Sequence, residues 1–167
     1  MELVYRALQG RNGHTAGREL LAELYQKLTG EPIPPIETTP RGKPYFVGSS
    51  WHFSISHTKN HVFCCLSQNP IGIDGEEMTR TVDPRLAQRY LSPTEQARLA
   101  KVPDPNAALL RLWVLKEAYA KLTGQGIGNY LKNTDFDHND SRIREIGGCV
   151  VAILEGESPC SSTPMPT

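Results

Sequence analysis

Two stretches of the chain repeat one another. LAELYQKLTGEPI (21–33) is echoed by the end of LWVLKEAYAKLTGQGI (112–127) at an offset of 94 residues. Glu23 falls on Glu117, Tyr25 on Tyr119 and Lys27 on Lys121; Leu28, Thr29, Gly30 and Ile33 fall on Leu122, Thr123, Gly124 and Ile127. That makes seven identities in eleven positions. Two unrelated amphipathic helices with glycine stops would share leucine, lysine and glycine. Matches in this order favour duplication, and internal self-similarity constrains a fold more than any single motif. Duplication predicts two similar halves related by a pseudo-twofold axis, with a site in the cleft between them. A chain of 167 residues suits one domain, or two small halves sharing a core. The expected division is about 1–70 and about 71–157 within one catalytic domain, 1–157, followed by a loose tail at 158–167 that has no packing face.

The segments between mix strands and helices, so the expected class is α+β. LVYRAL (3–8) reads as a strand, and TAGRELLAELYQKLTG (15–30) as a helix with Gly30 as its stop. EPIPPIETTPRGKP is proline-rich and extended. WHFSISH (51–57) and HVFCCLS (61–67) read as a hairpin, and IGID (71–74) as a third strand. Asp83-Pro84, Ser92-Pro93-Thr94-Glu95 and Asp104-Pro105 each open a helix with a cap and a proline in its first turn. The last of these helices should run from about Pro105 to Thr123, and GGCVVAILE (147–155) closes the fold as a strand.

Composition narrows the function. Eighteen basic residues balance eighteen acidic ones, so a nucleic-acid partner is not expected, although a local basic site for a small polyphosphate stays open. No apolar run is long enough to span a bilayer, and MELVYRALQG does not read as a signal peptide. No membrane association and a cytoplasmic location are the expectations. Cys64 and Cys65 point to opposite faces of one strand and no C-x-x-C spacing occurs, so Cys64, Cys65, Cys149 and Cys160 read as reduced thiols.

Several residues carry potential chemistry. If GIDGEE stays extended, Asp74 and Glu76 project to one side and can reach a single hard cation; a polar turn after a strand looks the same. Glu77 should point away and be solvated. Glu117 and Lys121 share one helix face, as a salt bridge or as working groups on a buried helix. PRGKP (40–44) sets two cations around a glycine, as a phosphate grip or a solvated loop does. Ser56 and His57 can hydrogen-bond an anion. The spacing of His52, His57 and His61 matches no structural zinc pattern, and GQGIG (124–128) follows a helix and is not a dinucleotide fingerprint.

Taken in order, these motifs resemble the 4'-phosphopantetheinyl transferase superfamily, in its pseudodimeric, surfactin-synthetase-activating type. The matching residues are Gly42-Lys43-Pro44, Phe53-Ser54-Ile55-Ser56-His57, Gly72-Ile73-Asp74-Gly75-Glu76, and Trp113 through Lys116-Glu117-Ala118 and Lys121 to Gly124 and Gly126. Gly75 stands where the family pattern has a branched apolar residue. The resemblance implies transfer of 4'-phosphopantetheine from coenzyme A to a serine of an apo acyl or peptidyl carrier protein, with release of 3',5'-ADP. It implies Mg²⁺ on Asp74, Glu76 and Glu117; Mn²⁺ also takes oxygen ligands and stays open. It implies catalytic roles for Glu117, Lys121 and Asp74. It places coenzyme A on Arg18, Arg41, Gly42, Lys43, Ser56, His57 and Lys121. Glu23 and Lys27 would be structural relics of the other half, and a monomer is expected. The alternatives are a catalytically degenerate module that binds coenzyme A or a carrier protein, and a Mg²⁺-dependent phosphohydrolase.

Overall fold

The computed structural model describes residues 1–157. The tail expected at 158–167, with Cys160, lies outside the described residues. The chain opens with strand β1 (Glu2–Ala7) and helix α1 (Gly13–Thr29), then a short hairpin of β2 (Ile36–Thr38) and β3 (Pro44–Phe46). Strands β4 (His52–His57), β5 (His61–Ser67) and β6 (Ile71–Glu77) follow. Helices α2 (Pro84–Tyr90), α3 (Pro93–Leu99) and α4 (Pro105–Thr123) come next, then a 3₁₀ turn (Asn129–Asn133) and strands β7 (Ile143–Ile146) and β8 (Cys149–Glu155).

The helix ends follow from local chemistry. Asn12 caps α1 by accepting from the Thr15 N–H at 3.1 Å, and Asp104 caps α4 by accepting from the Ala107 N–H at 3.0 Å. Ser92 and Glu95 form the expected capping box. Both repeat helices stop at a left-handed glycine, Gly30 at φ 76° and Gly124 at φ 70°.

Two three-stranded antiparallel sheets carry the fold, in strand orders β1-β5-β4 and β6-β8-β7. Read along the chain, each order is first, last, middle. Helix α1 packs on one face of the first sheet through Leu20, Leu21 and Leu24 against Val62, Cys64 and Leu66. Helix α4 packs on the second sheet through Leu112, Leu115 and Ala118 against Val150, Ala152 and Leu154. The remaining faces meet each other: Phe63 and Cys65 join Ile71, Ile73, Val151 and Ile153 in a third cluster. Strand β5 is therefore buried on both sides, which explains its unbroken apolar run and the opposite facing of Cys64 and Cys65.

The sheets are stitched where β4 runs beside the open edge of β6. The Ile73 N–H donates to Ser54 Oγ and the Gly75 N–H to Ser56 Oγ, each at 3.1 Å. These hydroxyls satisfy buried edge donors that no neighbouring strand reaches.

Some expectations change. IGID extends to Glu77, because β6 pairs with β8 as far as Glu77 opposite Cys149. Glu77 is not solvated: it is half-buried and accepts from Thr58 Oγ1 at 2.6 Å and Asn60 Nδ2 at 3.2 Å. The proline-rich segment contains a hairpin, and β7 had no alternating pattern long enough to predict it.

Candidate active site

A cleft of about 550 Å³ opens between α1, the β2–β3 hairpin, β4, β6 and α4. Arg18, Arg41, Gly42, Lys43, Ser56, His57, Asp74, Glu76, Glu117 and Lys121 all line it. Helices α1 and α4, which carry the two repeats, thus face one space, α1 through His14 and Arg18 ahead of its repeat and α4 through Glu117 and Lys121 within its own.

Its floor is acidic. Asp74 and Glu76 alternate along β6 and face Glu117 on α4, and one oxygen from each of the three lies within 4.8 Å of the others. Gly72 makes this approach feasible. A Cβ there would run into the Ala118 carbonyl oxygen and sit 2.5 Å from the Leu122 nitrogen, so only glycine lets β6 cross α4 so closely. Gly75 keeps regular strand pairing opposite Val151. The Phe63 ring occupies the space a branched side chain would need, 3.0 Å from a Cβ at Gly75.

Asp74 is buried, and its two oxygens differ. Oδ1 accepts from Lys121 Nζ at 2.7 Å and from Ser56 Oγ at 3.0 Å. Oδ2 is buried without a hydrogen-bond partner. A buried carboxylate oxygen left bare is unfavourable unless a cation meets it. Glu76 pairs with Arg80 at the rim. Burial, and then the neighbouring Asp74 charge, push the Glu117 carboxyl up to about 8. Three hard oxygen ligands, one of them orphaned, fit a divalent cation such as Mg²⁺.

The walls are basic and histidine-rich. His57 stands edge-on to His14, their ring centroids 4.7 Å apart, at the first turn of α1. Gly13 makes room, since a Cβ there would lie 2.5 Å from His57 Cγ. The Arg18 guanidinium lies 6.0 Å from the Phe53 ring centre. Gly42, at φ 86°, turns the loop that carries Arg41 and Lys43. Lys43 Nζ donates to the Leu122 carbonyl oxygen at 2.6 Å, capping the C-terminus of α4 from the opposite half of the chain. Burial lowers the Lys43 pKa. Two of its ammonium protons remain for an anion, whereas Ser56 has given its only proton to Asp74.

Sequence reasoning missed two groups. His14 reaches the cleft one turn before Arg18, but a single histidine on a helix carries no signal by itself. Lys116 lies in the KEA motif without an assigned role. It is fully buried, 2.7 Å from Glu95, and donates to the Leu131 carbonyl at 2.7 Å and to Thr134 O. Glu95 also accepts from the Ser92 and Phe136 N–H groups at 2.7 and 2.8 Å. The pair locks α3 and the 131–136 loop onto α4, one residue before Glu117. Glu23, the repeat partner of Glu117, lies outside the cleft and pairs with Arg6 at 2.6 Å.

The profile of the 4'-phosphopantetheinyl transferase superfamily matches residues 70–161. The chain belongs to this superfamily. Among similar superfamily proteins, 4'-phosphopantetheinyl transferase psf-1 of Bacillus pumilus is 32% identical over 149 residues, which are 86% of this chain and 61% of that protein. HetI, a 4'-phosphopantetheinyl transferase of a Nostoc species, is 36% identical over 129 residues, 70% of this chain and 54% of that protein. The transferase gsp of Aneurinibacillus migulanus is 31% identical over 103 residues, 60% and 43% respectively. The chain thus spans between about two fifths and three fifths of the length of these superfamily relatives. The superfamily match covers β6, α4, β7 and β8, and so contains all three carboxylates.

Proposed function

We propose that this chain transfers 4'-phosphopantetheine from coenzyme A to a serine hydroxyl of an apo acyl or peptidyl carrier protein, releasing 3',5'-ADP. The observation that carries this reading is the convergence of Asp74, Glu76 and Glu117 around an unpartnered buried oxygen, beside Lys121. Asp74, Glu76 and Glu117 would hold Mg²⁺ or Mn²⁺. When bound, the ion neutralises charge on the pyrophosphate of coenzyme A and polarises the phosphorus. Glu117, directly or through a water, takes the proton of the carrier serine as its oxygen bonds to phosphorus. The bond between that phosphorus and the bridging pyrophosphate oxygen breaks, and Lys121 steadies the charge that develops on the departing phosphate. Arg18, Arg41, Lys43 and His57 grip the nucleotide phosphates, and His14 joins them. Gly42 brings the backbone close, and Ser56 acts by holding Asp74 and the Gly75 N–H in place.

The two halves, about 1–70 and about 71–157, are read as duplicated units of one catalytic domain, with a pseudo-twofold between them. Their sheets share the order first, last, middle, and their helices end at equivalent left-handed glycines. One chain then supplies both walls of the cleft, so a monomer suffices. The buried free thiols Cys64, Cys65 and Cys149 fit a reducing compartment such as the cytoplasm. No described helix is long and apolar enough to cross a membrane.

Incubation with coenzyme A, Mg²⁺ and an apo carrier protein, followed by intact mass, tests the reaction. The expected result is one phosphopantetheine adduct on the carrier serine, abolished by Glu117→Ala in a protein of unchanged circular dichroism. Coenzyme A binding without an adduct on any of several carriers would instead support a binding module. An active Glu117→Ala variant would remove Glu117 from the mechanism.

A further inference from the structure

A second group of ligand-bearing side chains lies on the other side of β6. Asp74 and Glu76 face the cleft, but Glu77 projects the opposite way, as the alternation of a strand requires. There it meets His61, at the start of β5, and Cys149, at the start of β8. The His61 Nδ1 atom lies 3.9 Å from Glu77 Oε1 and 3.7 Å from Cys149 Sγ. One ligand atom from each of the three residues lies within 4.8 Å of the others.

We propose that His61, Glu77 and Cys149 form a second metal site, distinct from the acidic cleft, for a divalent ion of the zinc class. A tetrahedral ion with bonds of about 2.0 to 2.3 Å holds its ligand atoms roughly 3.3 to 3.6 Å apart, so small side-chain movements would close the set. Nitrogen, oxygen and sulfur ligands together select zinc-class ions over Mg²⁺, the reverse of the all-oxygen set at Asp74, Glu76 and Glu117. The surrounding groups already orient the carboxylate. Thr58 Oγ1 and Asn60 Nδ2, both in the β4–β5 turn, donate to Glu77 Oε1 at 2.6 and 3.2 Å. Such outer hydrogen bonds are what ligating carboxylates require. Gly147 lies against the His61 ring, where a Cβ would sit 3.0 Å from Nε2. Cys149 is buried, while the His61 and Glu77 side chains keep 19% and 23% of their exposure, so solvent reaches the cluster from their side. On binding, the thiol proton of Cys149 passes to solvent as the metal–sulfur bond forms. The ion would staple β5 of the first half to β6 and β8 of the second, at the strand end that carries Glu76.

The test uses the full chain, stripped with chelator and returned to excess Mg²⁺ so that the acidic cleft is occupied. Titration with Co²⁺ should produce a thiolate-to-cobalt charge-transfer band and tetrahedral d–d bands, saturating at one ion per chain and erased by one equivalent of Zn²⁺. His61→Asn and Glu77→Gln, both at partly exposed positions, should abolish the band in proteins of unchanged circular dichroism. Thr58→Val should weaken Co²⁺ affinity about tenfold. Asp74→Asn should leave the band intact. Absence of a thiolate band in the wild-type chain would overturn the proposal and leave a structural hydrogen-bond network. So would a band that survives both ligand variants.

Discussion

At the scale of single residues, the acidic cleft stores an electrostatic conflict, because burial and the Asp74 charge both oppose a charged Glu117. The Glu117 carboxyl is held up to about 8 by burial and by Asp74, above the ordinary carboxylate value. The folded, metal-free chain therefore binds a proton at Glu117 that the unfolded chain releases. Stability from this group is complete below the ordinary carboxylate pKa and is lost as pH rises towards 8. Urea unfolding in chelator should show the wild type losing stability relative to Glu117→Gln across that window, and saturating Mg²⁺ should remove the loss. A pH-independent difference between the two proteins would contradict this account. By contrast, the Lys43 ammonium is already engaged by the end of α4, and the Ser56 proton by Asp74. Residue type alone does not show such commitments.

At the scale of elements, one close crossing and one buried ion pair set the position of Glu117. Gly72 lets β6 pass against the α4 backbone at Ala118 and Leu122. Gly72→Ala should therefore destabilise the fold by about 3 kcal/mol, because the obstacle is backbone and cannot rotate away. An unchanged urea midpoint would show that the crossing has slack. Lys116 and Glu95, both fully buried, tie α4 to α3 and the following loop. Lys116→Met should cost about 3 to 5 kcal/mol by chemical denaturation, since it strands the Glu95 charge. A smaller loss on replacing both residues with apolar ones would confirm that the stranded charge, not the missing contact, is responsible. The helices were legible because caps, prolines and glycines punctuate the chain locally. The β2–β3 hairpin and β7 were not, because three- and four-residue strands carry too little alternation to stand out.

At the scale of the whole molecule, the layer between the sheets joins the halves. Phe63 and Cys65 pack on Ile73, Val151 and Ile153, and the serines of β4 complete the edge of β6. Each half also has its own cluster beneath its helix, but the two sheets share this buried layer, so the chain should unfold as one unit. The sequence has two tryptophans, Trp51 in the first half and Trp113 in the second. Trp51→Phe and Trp113→Phe variants, each reporting from the tryptophan that remains, should track the same cooperative transition as circular dichroism. In either variant, a fluorescence midpoint displaced from that of circular dichroism would mean that the halves are independent domains.

By itself, the sequence determined the order of the helices and the longer strands, the helix ends marked by proline caps or glycine stops, the repeat, and which residues of the IGIDGEE and KEAYAK segments share a face. Each of these depends on neighbours a few positions away, where strand and helix periods dictate direction. Tertiary structure alone decided which groups meet across the chain. Lys121 finds Asp74 across 47 residues, and His61 finds Cys149 across 88. Those meetings depend on how two sheets and two helices pack, with Gly72 and Phe63 controlling the spacing, and no periodicity along the chain encodes them.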